Sequence, residues 1–559
     1  MPNARFKAAT SGMWKAGPMG FTLPTWRGRT DSIRGVLWSP TDGMTPRSQH
    51  VGGLLAVAWA CLVGCTPADP AVESDLTNDQ VNVLFLVADD LNCSLGFLGD
   101  TMVQTPHLDA LAQKAVVFEQ AHCQYPLCGP SRASFMTGMY PSQSGITQNR
   151  VMLRSVMPDV VTLAQGFRRH GHRSVRVGKI FHYDNPGDIG TSGHDDNPSW
   201  DETYNPRGRD KEEEHLIQSL VPGKFGGTLS WLASEGKDEE YTDGMVATQV
   251  VQELERFSNS GEPFFLAAGF FRPHTPFVAP RPYFELYDSD AMVVPAADPN
   301  ELVQLPLPAQ KSIRAKKVQR NLPSGRAKEI KQAYCASISF VDAQIGRVLE
   351  ALRSTGLAKN TVVVFLSDHG YHLGEHGHWQ KQTLFEEATR VPLLIVDPRY
   401  ETTNVRVAQP VELVDLYPTL NDLAGISTPK YVAGKSLVPR MREEEVDTGG
   451  GALTEWGQGV SLRTAHHRLT VWGKDGDLGM ELYDHQKDPR ETINLLLVPG
   501  HEELLDSLSR LMEVKTGATL PLPPSIGRLN LEVPPMPWSP PLFRDGEDTP
   551  LLRSTPPTP

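Results

Sequence analysis

Residues 81–87, 263–271 and 361–366 are short, nearly continuous apolar runs rich in β-branched and aromatic side chains. Runs of that length and composition predict strands buried on both faces. Residues 174–178 and 392–396 read as two more strands, and stretches of helical periodicity separate the five. The predicted helices start near Thr105, run over 242–257 with Thr242 and Asp243 as caps, and cover 330–352 and 412–424. Alternation of this kind predicts an α/β fold with a mostly parallel sheet covered on both faces. Residues 185–240 and 290–328 are polar and rich in Gly, Pro and charge, and read as loops.

Four of the strands end in polar residues: Asp89 and Asp90, Lys179, His274, and Asp368 with His369. Ligands of open α/β sheets bind beyond the carboxyl ends of the strands. One sheet would therefore bring all four clusters to one edge. Taken singly, each is as well explained by a solvated loop.

The stretch 127–138 adds chemistry to that edge. Pro130 is tolerated in a first helical turn, which puts Cys128 at a helix mouth. Free backbone N–H groups there favour an anion, so the thiol is expected to have a lowered pKa and to be reactive. The plain alternative is a small buried hydrophobe. The pattern Cys128-x-Pro130-x-Arg132, followed by Ser134 to Gly138, resembles the signature of type I sulfatases. The wider match runs from about Val81 to Asn494 and is most similar to the iduronate-2-sulfatase branch.

That resemblance implies an alkaline-phosphatase-like α/β/α sandwich at 81–441 and a smaller C-terminal α+β subdomain at 452–513. It implies that a separate maturation enzyme oxidises Cys128 to formylglycine (3-oxoalanine). It also implies one Ca²⁺ held by Asp89, Asp90, Asp368, His369 and the modified Cys128. His369 stands where many sulfatases have Asn, and an imidazole would also suit a softer ion. Arg132 is expected to hold the formylglycine hydrate, and Lys179 and His182 to contact hydrate and sulfate. His274 and Lys381 are expected to bind the sulfate and the bridging oxygen. One hydroxyl of the hydrate attacks sulfur, and the other, deprotonated by His182, lets sulfate leave. A protonated His274 would serve as acid to the leaving oxygen. His372, Glu375, His376 and His378 either form a spare metal site or shape and hold the loop around the pocket.

The net charge of −13 argues against nucleic acid as a partner. It also requires that a site for an anionic substrate supply its own positive charge, which Arg132, Lys179 and Lys381 do. The six cysteines are too few for a disulfide scaffold, although a bridge between two of Cys93, Cys123 and Cys335 stays open.

Before the first strand, residues 44–65 pair a short charged region with an apolar run too short to span a bilayer. Residues 62–65 resemble the lipobox of a bacterial lipoprotein signal peptide, with Cys65 as the lipidated residue. Translation is then expected to start at Met44, with 1–43 as an untranslated or disordered extension and 65–80 as a tether. The mature protein would be exported and anchored to the cell envelope through lipid at Cys65; an ordinary secretory signal or an uncleaved anchor is the alternative. An acidic, Gly-rich linker spans 442–451, and a Pro-rich tail follows at 514–559. The functional expectation is a sulfatase acting on a sulfated sugar, with a 2-O-sulfated uronate among the candidates. Its rivals are a phosphonate or phosphate ester hydrolase of the same superfamily and a non-catalytic lipoprotein that binds sulfated glycan.

Overall fold

The computed structural model describes residues 80–517 apart from 297, 401–404 and 444–449, together with 541–542. The expected extension, lipoprotein signal with Cys65, nearly all of the tether, and most of the linker and Pro-rich tail lie outside the described residues. Among the described residues no helix is long and apolar enough to cross a membrane.

The central sheet contains β1 (Asn82–Asp89), β2 (Arg173–Gly178), β3 (Glu202–Pro206), β4 (Phe264–Pro273), β5 (Thr361–Ser367) and β6 (Leu393–Val396). Their order is β6-β5-β1-β4-β2-β3. Short strands Val116–Phe118 and Arg406–Val407 extend the sheet past β6, and Pro541–Leu542 pairs with β3. Every residue of β1 is buried. Leu84, Leu86 and Ala88 enter one core while Val83, Phe85 and Val87 enter the other, as a period of two demands. Helices α1 (Cys128–Thr137), α2 (Thr242–Ser260), α3 (Ser324–Ser354) and α4 (Leu416–Leu423) cover the sheet. The side chains of α2 and α3 fill one core, those of α1 and α4 the other.

The sheet is mostly parallel, as expected, and three details add to or correct that reading. First, β1 to β5 run parallel, while β6 is antiparallel to β5, with Leu366 opposite Leu393. The chain leaves β5, loops at the site end and returns without a long crossover, and such a return can only be antiparallel. Second, Thr242 and Asp243 do not cap α2 from outside, because both lie within its first turn. The Asp243 carboxylate instead accepts from the backbone N–H groups of Phe271 (2.8 Å) and Arg272 (2.9 Å), fixing the end of β4. Third, the two presumed loop segments hold elements. The first contributes β3 and part of a small sheet of Gln218–Ser219, Ser230–Ser234 and Phe277–Pro280. The second forms short helices Pro299–Gln304 and Leu307–Ile313. These pieces are too short and too polar to show a period. Cys93, Cys123, Cys128 and Cys335 are all free thiols.

The C-terminal part is an antiparallel sheet of β7 (Ala452–Trp456), β8 (Gly459–Arg463), β9 (His467–Trp472) and β10 (Gly479–Asp484), with α5 (Glu502–Gly517) packed on it. Leu453, Leu462, Leu469 and Leu482 meet Leu508 and Met512, and Tyr140 and Val414 of the larger part join them. Arg468 of β9 is buried and pairs with both Glu386 and Glu491, locking this sheet to the loop after β5. Burial opposes the charge on Glu491, but Arg468 and His485 outweigh it and hold the carboxyl down near 2.

Replacing Arg468 by Met should therefore leave Glu386 to Arg463 alone and Glu491 to His485, and cost on the order of 2–3 kcal/mol, read as a lower Tm and denaturant midpoint. Because the folded pKa of Glu491 lies below its usual value, the contribution of the pair is complete above about pH 4.5 and fades as pH falls toward 2. An unchanged midpoint at neutral pH would show that the pair contributes nothing.

Candidate active site

Arg132, on the second turn of α1, is the joint of the site. Its Nε donates to Asp368 Oδ2 (2.8 Å) and its Nη2 to Asp89 Oδ1 (3.0 Å). Its Nη1 donates to the carbonyls of Lys179 (2.7 Å) and Ile180 (3.0 Å). One buried guanidinium thus ties the ends of β1, β2 and β5 to α1, a task its planar fork suits and a lysine does not. Lys179 Nζ pairs with the other oxygen of Asp89 at 2.6 Å. Burial alone would push Asp89 up, but Lys179 and Arg132 outweigh it and hold the carboxyl well below the usual range. Lys179 reaches this position because Gly178 and Gly269 face each other across β2 and β4. A Cβ on Gly269 would lie 1.9 Å from the Lys179 carbonyl oxygen.

Asp90 follows in a left-handed conformation, φ 63°. Its N–H donates to Asp368 Oδ1 (3.1 Å) and its carbonyl accepts from the Tyr334 hydroxyl (2.8 Å). Two partners thus fix the strained turn. Cys128 is the first residue of α1 and is buried. Its Sγ lies 3.2 Å from Lys381 Nζ, 3.3 Å from His369 Nε2 and 3.7 Å from Asp90 Oδ1. Lys381 pairs with the same Asp90 oxygen. His369 Nδ1–H donates to the Gly370 carbonyl (2.9 Å), which leaves Nε2 with a lone pair toward the cluster.

The ligand atoms of Asp89, Asp90, Cys128 and His274 lie within 4.8 Å of one another, as do those of Asp89, Cys128, Asp368 and His369. Asp90 Oδ2 is buried without a hydrogen-bond partner, with His274 Nε2 3.7 Å away. Oxygen donors with one imidazole nitrogen and an unsatisfied carboxylate oxygen fit a divalent cation.

Two electrostatic expectations fail. Burial and the adjacent Asp89 push the Cys128 thiol well up, despite Lys381 and Lys179, so the helix mouth does not make it acidic. Burial and Lys381 drive His274 well below the usual histidine value, so it is neutral rather than a protonated acid. Its Nδ1–H donates to the Thr275 carbonyl at 2.5 Å, so Nε2 can only accept. His182 is likewise neutral, pulled down to about 4 mainly by burial. Its Nε2–H donates to Asp184 (3.1 Å), leaving Nδ1 buried and unpartnered.

Every residue expected at the site is brought to this edge of the sheet, and His182, His274 and Lys381 also line a cleft of about 450 Å³. The cleft adds residues that sequence reasoning missed, among them Asn149, Asn185, Lys316 and Gln380. Lys316 sits among Lys311, Arg314 and Lys317, and nothing in their spacing sets it apart. The histidines after β5 hold the loop. His372 Nε2 meets Thr383 Oγ1 (2.7 Å), His376 Nδ1 lies 3.3 Å from Glu301, and His378 lies between the carbonyls of Ile313 (2.9 Å) and Lys381 (3.0 Å).

The sulfatase family model matches residues 81–426, and that of the N-sulphoglucosamine sulphohydrolase C-terminal region matches 374–517. The chain belongs to the sulfatase family. It is an enzyme of the sulfuric ester hydrolase class, and its core has the alkaline-phosphatase-like α/β/α architecture. A sulfatase of Formosa agariphila is 34% identical over 483 residues, covering 82% of this chain and 91% of its own. Iduronate 2-sulfatase of Homo sapiens is 32% identical over 500 residues, covering 75% and 90%. Among solved structures, the phosphonate monoester hydrolase SpPMH from Silicibacter pomeroyi superposes with a TM-score of 0.65 at 25% identity, covering 79% and 96%.

A divalent cation that binds this cluster stabilises the fold by mass action, about 2.7 kcal/mol at a hundredfold excess over Kd. Titration with Ca²⁺ should raise Tm, EDTA should reverse the rise, and Asp90→Asn should blunt it. A Tm indifferent to both additions would remove the metal from the site.

Proposed function

We propose that this protein is a formylglycine- and Ca²⁺-dependent sulfatase that acts on a sulfated saccharide, with an iduronate-2-sulfatase-like preference. The observation that carries the reading is Cys128 Sγ set among Lys381, His369 and Asp90 at the first turn of α1, in a chain 32% identical to human iduronate 2-sulfatase. With Cys128 converted to formylglycine and Ca²⁺ held by Asp89, Asp90, Asp368 and His369, the site would gain a nucleophilic hydroxyl, a second hydroxyl for release, and Lewis-acid polarisation.

The chain's own residues do the rest. Arg132 and Lys179 neutralise Asp89 and fix the strand ends against which substrate is positioned. Lys381, which its acidic neighbours keep charged despite burial, faces the charge that develops on the departing oxygen. It replaces His274, which is neutral, as the cationic donor there. His182, neutral and oriented by Asp184, takes a proton at Nδ1. The phosphonate monoester hydrolase reading is kept because of the SpPMH superposition, and sulfate and phosphonate groups are similar in shape.

The test uses protein beginning at Cys65, co-produced with a formylglycine-generating enzyme and checked by peptide mass at position 128. Sulfate should be released from a 2-O-sulfated uronate disaccharide, and Cys128→Ala should reduce release by several orders of magnitude. Turnover of a phosphonate monoester alone would move the assignment to the rival, and release from another sulfated sugar alone would discard the uronate preference.

We also propose that Cys65 is lipidated and anchors the protein to the cell envelope, on the strength of the lipobox-like residues 62–65. Protein translated from Met44 in a bacterial host should incorporate labelled fatty acid, and Cys65→Ser should abolish the label. Equal labelling of both would refute the anchor.

A further inference from the structure

The cleft holds a second lysine that the chemistry above does not use. Lys316 follows the short helix Leu307–Ile313, and it lines the same wall system as His182, His274 and Lys381. Its Nζ donates to the Gly227 carbonyl at 3.0 Å. Among the described residues no carboxylate pairs with it. The acidic groups that also line the cleft are already engaged: Asp184 with His182, and Glu214 with Lys211 at 2.9 Å. Asp90, deeper in the cluster, is taken by Lys381. Burial and the nearby charge of Lys381 bring Lys316 down to about 8, so it still carries its proton at neutral pH. Half-buried in the cleft wall, the ammonium has one carbonyl as its partner among the described residues, which leaves donors free for a ligand.

Its surroundings suit a sugar. Asn185 is buried at the same cleft, and neither its Oδ1 nor its Nδ2 has a protein partner. Gly226, at φ 63°, lets the loop carrying Gly227 close against Asn185, since a Cβ there would lie 1.9 Å from the Asn185 carbonyl oxygen. The position of Lys316 is also tied to that of Lys381. His378 lies between the carbonyl of Ile313, three residues before Lys316, and the carbonyl of Lys381. His376 meets Glu301 on the preceding short helix.

We infer that Lys316 is the cation of a second anion subsite, which holds a carboxylate or a further sulfate carried by the substrate away from the ester being cleaved, with Asn185 hydrogen-bonding the sugar hydroxyls between them. The inference rests on the sulfatase reading for its substrate class. It differs from it in assigning a specificity role to a residue outside the reacting cluster. Lys381 already serves the scissile group, so Lys316 is available to discriminate among substrates.

The test compares matched pairs of 2-O-sulfated disaccharides: the uronate against its carboxyl-reduced counterpart, and a disulfated against a monosulfated form. With the matured enzyme, Lys316→Met should raise KM on the order of tenfold or more for the member with the extra anion, with kcat little changed. The loss should be absent for the member without it, and Lys316→Arg should restore much of it. Whichever pair shows the difference identifies carboxylate or sulfate as the group held. An equal loss on both members of both pairs would place Lys316 on the scissile sulfate and overturn the inference. Calorimetric binding of the same pairs to Cys128→Ala protein, with and without Lys316→Met, gives the answer independently of turnover. Failure of hydrolysis therefore counts against the sulfatase reading, and failure of discrimination against the subsite. Binding that never distinguishes the pairs would overturn the inference even in an active enzyme.

Discussion

The buried contact between Arg132 and two carboxylates on separate strands is the constraint from which the site follows. Burying Asp89 and Asp368 together is unfavourable unless a cation with fixed geometry lies between them. Arg132 provides it and also donates to the Lys179 and Ile180 carbonyls, so one side chain closes the ends of three strands. The orientation of Cys128, one turn earlier on the same helix, is a consequence. So is the availability of Asp90, whose carboxylate is left to other partners because Asp89 is saturated.

The acidic character of the whole chain is handled by the same arrangement. A protein of net charge −13 repels sulfated ligands at a distance. At the site this is countered by Arg132, Lys179 and Lys381, which neutralise the clustered carboxylates, and by half-buried Lys316 on the cleft wall, which pairs with none of them. Low polarity around them magnifies each charge. The attraction is therefore local and short-ranged, which favours a ligand that already fits.

Much of this was legible in the sequence because the informative residues lie at the ends of strongly patterned strands. Asp89, Lys179, His274 and Asp368 each follow an apolar run that could only be buried, and parallel strands must present such ends together. The electrostatics were less legible. Cys128 was expected to be acidic from its place at a helix N-terminus, and burial with Asp89 reversed that; His274 was expected to be protonated, and burial with Lys381 reversed that. Both errors have one cause: sequence shows neighbours along the chain, while desolvation comes from neighbours across it. The same holds for Lys316 and Asn185, which sit in polar segments without periodicity and acquire meaning only from the wall they share. Asp243 shows the converse, a residue with a helix-capping signature that is used instead to hold the end of a neighbouring strand.

The burial of Cys128 also has a consequence for the order of events in the life of the chain. Only about 1% of the residue is exposed, beneath the side chains of Lys381 and His369, which arrive from a loop some 250 residues later. Under the proposed maturation, an enzyme oxidising this thiol would have to reach it before the chain folds. That access would end once β5 and its loop settle over α1. Chemical maturation and folding would then compete for the same interval. The proportion of active molecules in a preparation would be set by which process wins, and it could not be raised afterwards without unfolding the protein.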